Sequence, residues 1–122
     1  MTTKVITIAT LNVPNANGRI YTAESFAPRK EGVPLFCTLD MHRSLTVDPN
    51  TVCGTISNMR VEGNELKAEL TILTTPSGQI LEKVFDHVAF RLAGHCAPIG
   101  ADGVVRDFKC AYIAAIDKLR AA

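Results

Sequence analysis

In ELKAELTIL, residues 65–73, polar and apolar side chains alternate strictly as far as Ile72. A repeat of two is the signature of a half-buried strand and puts Leu66, Ala68, Leu70 and Ile72 on one face. Val52–Val61 before it also reads as a strand, and Glu62-Gly63-Asn64 supplies the turn chemistry of a hairpin between the two. Directly after the alternation, TTPSG changes the period. Thr75 is suited to cap a helix and Pro76 to fill its first position, and Ile80, Leu81, Val84 and Phe85 follow at helical spacing. A hairpin that runs straight into a short helix commits the chain to a mixed architecture, and the rest of the sequence adds mainly strands to it.

Lys4–Leu11 alternates and is rich in β-branched residues, which predicts a strand. PNANGR, residues 14–19, is dense in turn formers, and Thr22 is placed to cap a short helix over Ala23–Phe26. Val33–Leu39 predicts a short buried strand, and MHRSLTVDPN after it a polar loop. Val88–Cys96 and Val104–Ile116 are expected to close the sheet around a turn at Ala101-Asp102-Gly103. The expectation is one α+β domain over residues 1–122, mainly antiparallel β. It would have six to seven strands in a closed or partly closed barrel, with one or two short helices. Closure is favoured because it removes exposed sheet edges.

The bulk chemistry narrows the function classes. With 47% hydrophobic and 20% charged residues the chain is globular rather than disordered. Thirteen basic side chains against twelve acidic ones give a net charge of +1, and no basic stripe argues for nucleic acid. No apolar run approaches the ~18 residues of a membrane-spanning helix, so no membrane partner is expected. MTTKVITIATL lacks the basic start and solid apolar block of a secretory signal. PSGQ and GADG are turns without a phosphate-loop lysine, and Glu62/Glu65 and Asp102/Asp107 flank turns, so no cofactor and no carboxylate pair for acid–base work is expected.

Four cysteines, Cys37, Cys53, Cys96 and Cys110, include no C-x-x-C pair. Three readings stand: small buried thiols, a Cys96–Cys110 disulfide across the turn centred on Gly103, or a zinc site. The scatter of the cysteines and of His42, His87 and His95 weighs against zinc. His95 and Cys96 are neighbours, yet neighbours in a strand point to opposite faces and make a poor catalytic couple.

Four segments in order carry a resemblance. They are Asn15-Ala16-Asn17-Gly18-Arg19-Ile20-Tyr21, Leu39-Asp40-Met41-His42, Ile72-Leu73-Thr74-Thr75-Pro76-Ser77-Gly78, and Gly100–Asp117 with its Asp107-Phe108 step. Together they resemble the prohead maturation proteases of tailed phages, whose barrel is similar to that of the herpesvirus assemblins. The resemblance implies that fold and places His42 where those proteases carry their catalytic histidine. It also implies a nucleophilic serine about fifty residues further on, in S-x-R-G-x-G. The corresponding window here is His95-Cys96-Ala97-Pro98-Ile99-Gly100, with neither serine nor arginine, and Pro98 has no N–H to give an oxyanion.

The resulting expectation is a non-catalytic phage structural protein in the virion: a decoration, cement or scaffold-associated subunit bound to the major capsid protein or another virion protein. It would be a homo-oligomer, with Asn15, Asn17, Arg19, His42 and Arg43 in the contacting loops. One alternative is an active maturation protease with Cys96 as nucleophile and His42 as general base. A second is an unrelated small cellular β-barrel that serves as a binding module.

Overall fold

The computed structural model describes residues 2–28, 32–40 and 45–121. Six strands run in chain order as β1 (Thr2–Thr10), β2 (Leu35–Leu39), β3 (Val52–Glu62), β4 (Glu65–Ile72), β5 (Val88–His95) and β6 (Lys109–Asp117). A nine-residue helix, α1 (Pro76–Val84), connects β4 to β5, and a four-residue helix, α2 (Lys118–Ala121), follows β6. Single 3₁₀ turns cover Ala23–Ser25, Pro49–Thr51 and Phe85–His87.

The strands form one sheet in the order β1-β4-β3-β2-β6-β5. Every neighbouring pair is antiparallel except β2 and β6. Bulges interrupt the register in β1 after Thr7, in β3 after Ser57, where β2 meets β3, and in β6 at Ala111. Bulges sharpen twist and bend strands, and here they curl the sheet until its two edge strands approach. Cα atoms of β1 and β5 come within 8 Å of each other without a hydrogen-bonded ladder. The architecture is therefore an α+β, mainly β, half-barrel that stays open along one seam.

The hairpin expectation holds in detail. β3 and β4 pair from Gly54↔Ile72 to Glu62↔Glu65, and Gly63 turns the chain with φ 60°. Leu66, Ala68, Leu70 and Ile72 are all buried in the barrel core beside Ile6, Ile8, Leu35 and Ile113. Thr75 caps α1, its Oγ1 accepting the Gly78 N–H at 3.2 Å, and Pro76 stands in the first turn. β6 is buried on both faces from Tyr112 to Ile116. Ile113 and Ala115 face the barrel, whereas Tyr112, Ala114 and Ile116 pack with Ala93 and Val47 on the other side.

Two expectations needed correction. Ile80 does not join the apolar stripe of α1: it is 52% exposed while Leu81 is fully buried. Residues 104–108 do not extend the last strand. Val105 N–H bonds to Ile20 O, Phe108 N–H to Ser25 O and Ala27 N–H to Phe108 O, so the segment pairs with residues 20–27. Asp107, at φ 53°, turns the chain out of extended geometry before β6 begins.

Candidate functional site

The open seam holds a cleft of about 730 Å³ between Thr7–Thr10 of β1 and Ala89–Gly94 of β5. The turn at residues 13–19 walls one end, and Tyr21, Phe108 and Tyr112 contribute aromatic surface to it. The wall follows from local chemistry. Asn15 Oδ1 accepts the N–H groups of Asn17 (2.9 Å) and Arg19 (3.0 Å), and Gly18 takes φ 74° to let the chain return. Asn15 is thus spent on the turn, which presents Asn17 and Arg19 at the exposed rim. The turn is held from behind by Ile20 N–H bonding to Gly103 O at 2.8 Å.

Behind the rim Tyr21 stacks on Phe26 at 5.9 Å and meets Phe108 edge-on at 5.6 Å. Burial pushes the Tyr21 hydroxyl above the ordinary tyrosine value; the neighbouring Arg19 guanidinium opposes this, and Cys96 and Cys110 reinforce it. The folded protein holds the Tyr21 proton more tightly than the unfolded chain, so this contribution to stability is intact below pH 10.0, the ordinary value. It is lost as the pH rises through the elevated one. A ring-labelled NMR titration should find Tyr21 titrating above 10.0, and Arg19→Ala should move it higher still. A Tyr21 that titrates at or below 10.0 would contradict its burial in the aromatic trio.

The structure separates His95 from Cys96. His95 pairs with Lys109 in the ladder and both are exposed, whereas Cys96, one residue on, is half-buried. The ladder also sets Cys110 against Gly94 rather than Cys96, and Cys110 Sγ donates to Tyr112 O at 3.5 Å. Continued to Cys96, this register makes the two cysteines diagonal neighbours. Diagonal Cα atoms lie about 7–8 Å apart, beyond ordinary disulfide spans. All four cysteines are thiols. Gly94 is required where it is, since a Cβ there would lie 2.9 Å from both the Lys109 carbonyl carbon and Phe108 Cζ.

Beyond Cys96 the turn is tied by Asp102. Its carboxylate accepts Arg106 Nη2 at 2.8 Å and the Val104 N–H at 3.1 Å, and the two bonds hold its carboxyl below the usual aspartate range. His42 and Arg43, the expected base and contact residue, lie outside the described residues, as do Met41 and Ser44. Among the described residues no group of three or more His, Cys, Asp or Glu side chains is arranged to hold a metal ion. Of the serines, Ser25 is buried with its Oγ accepting the Thr22 N–H at 2.8 Å, and Ser77 donates to Asn50 O at 2.6 Å. Sequence reasoning did not bring together Tyr21, Phe26 and Phe108. Their meeting depends on the pairing of residues 20–27 with 104–108, which leaves no periodic trace.

A curled, six-stranded half-barrel with one helix between β4 and β5 and an aromatic-lined cleft at its seam is the class this chain falls into. The capsid assembly protease of bacteriophage T4 shares the fold: its structure aligns with 93% of this chain and 80% of its own, at a TM-score of 0.65 and 17% sequence identity. At that identity the likeness is one of fold. No family model and no curated protein sequence matches the chain.

Proposed function

We propose that this chain is a non-catalytic phage structural protein, a protease-like half-barrel that binds the major capsid protein or another virion protein. It acts there as a decoration, cement or scaffold-associated subunit and self-associates in the virion. One observation carries the reading: residues 88–108, which span β5 and the turn after it, contain no serine or threonine. In the proteases this chain resembles, that region supplies the nucleophile. The thiol available there, Cys96, is half-buried, and its neighbour His95 is exposed in the ladder opposite Lys109. The likeness of fold to a capsid assembly protease supports the phage setting. The exposed rim at Asn17 and Arg19 supplies polar contact groups beside the cleft.

The test is to incubate purified protein with capsid and scaffold proteins from the phage or prophage that encodes it, and to analyse the mixture by mass spectrometry. The expected result is association with capsids in a fixed ratio and no new cleavage products. Cleavage that disappears in a Cys96→Ala variant would overturn the reading in favour of a thiol protease.

A further inference from the structure

Cys37 and Cys53 are remote from the seam. Both are fully buried in the barrel core. Cys53 Sγ lies 3.7 Å from Cys37 Sγ and donates to the Cys37 carbonyl oxygen at 3.4 Å. Their meeting is a product of the β2–β3 bulge. The register runs Cys37↔Gly54 and then Thr38↔Val52, which makes Cys53 the extra residue on β3. A bulged residue leaves the strict alternation of the strand, and Cys53 turns its sulfur toward Cys37. The directly opposed residue, Gly54, offers no side chain to hold the sulfurs apart. Nor could it carry one, because a Cβ there would lie 2.6 Å from Leu70 Cδ1 and 2.8 Å from Thr71 O.

We propose that Cys37 and Cys53 form a covalent modification site, a dithiol that a small peroxide or disulfide oxidant converts to a cross-strand disulfide. The sulfurs already lie 3.7 Å apart across the bulge, so closing to the ~2.05 Å of a disulfide is a short step. Two thiols in contact also ionise unequally. The bond shared with Cys37 lowers Cys53, and the same bond together with burial raises Cys37 above the ordinary thiol range.

Hydrogen peroxide serves as the two-electron oxidant. One sulfur of the pair bonds to one peroxide oxygen as the O–O bond breaks, and the departing hydroxide takes the thiol proton as water. The other sulfur then displaces that oxygen, and its own proton leaves with it as a second water. Two thiols lose two electrons and the peroxide gains them. The product ties β2 to β3 and closes residues 38–52 into a covalent loop.

The tryptic map makes the test direct, because each cysteine falls in a separate peptide: Cys37 in 31–43, Cys53 in 44–60, Cys96 in 92–106 and Cys110 in 110–118. The whole chain is treated with dilute hydrogen peroxide under native conditions and, in parallel, in denaturant. Remaining thiols are alkylated, and the digest is analysed without reduction. Under native conditions the 31–43 peptide is expected linked to 44–60 as the dominant species, against a mixture of pairings in denaturant. The same link is expected in a Cys96→Ala/Cys110→Ala variant. Full alkylation of Cys37 and Cys53 after native oxidation would overturn the proposal, as would a native yield no higher than the denatured one.

Discussion

A Gly78→Ala variant is expected to melt about 10 °C below the parent protein, reversing the usual effect of this substitution. In an ordinary helix interior alanine is worth about 1 kcal/mol more than glycine. Gly78 lies in the first turn of α1, and its N–H is the donor accepted by the Thr75 cap. A Cβ at this position would be driven into the Leu73 carbonyl, 2.6 Å from its carbon and 3.1 Å from the Leu73 Cα. That obstacle is backbone and cannot rotate away. Leu73 is itself anchored, its N–H bonded to Cys53 O at 3.0 Å. The helix would have to lift off β3 and β4, on which it packs, at a net cost of about 3 kcal/mol. Gly100 is the matched control, because a Cβ there meets only Asp102 Oδ1 at an ordinary 3.6 Å. Gly100→Ala is expected to stay within about 0.5 kcal/mol of the parent. Calorimetry of the two variants decides the matter. An unchanged midpoint for Gly78→Ala would mean that α1 does not start hard against Leu73.

The parts of this fold that sequence reasoning reached are those governed by neighbours in the chain. Alternation in residues 65–72 gave a strand whose apolar face is buried as expected, and Thr75-Pro76 marked the start of α1. Asn15 to Arg19 formed the turn their chemistry calls for. What escaped was decided by pairing between distant segments. Counting outward from Gly103 made Cys96 and Cys110 symmetric, but the ladder pairs Gly94 with Cys110 and His95 with Lys109. Its centre thus lies one residue earlier, and the two cysteines fall on a diagonal. Residues 104–108 have strand character, yet they spend it on residues 20–27. The Cys37–Cys53 contact needs a bulge that no local pattern announces. For the site, the aromatic and thiol groups were legible as residue types. The packing of Phe26 and Phe108 on Tyr21 was not, because it exists only once residues 20–27 pair with 104–108.

Adjacent positions on α1 offer the sharpest measure of how that helix is seated. Helical periodicity alone puts Ile80 and Leu81 in one apolar stripe, so it predicts comparable losses when either is truncated. The sheet beneath α1 contacts less than the whole stripe. Leu81 is fully buried in the barrel core, whereas Ile80 is 52% exposed. Leu81→Ala removes apolar surface and leaves a cavity in a core that also contains Ile72 and Leu70, whose strand is pinned on both sides by β1 and β3. A site that cannot collapse falls toward the upper part of the 2–5 kcal/mol range for such truncations, and about 3–4 kcal/mol is expected. Ile80→Ala exchanges a half-exposed β-branched residue for the best helix former. Its small loss of burial and its gain in propensity nearly cancel, leaving the variant within about 0.5 kcal/mol of the parent. Urea unfolding of both variants, read as midpoints at a common slope, gives the comparison directly. Equal losses at the two positions would show that α1 is rotated on the sheet. The β4–α1–β5 connection would then direct β5, and with it the open seam, differently from the geometry described above.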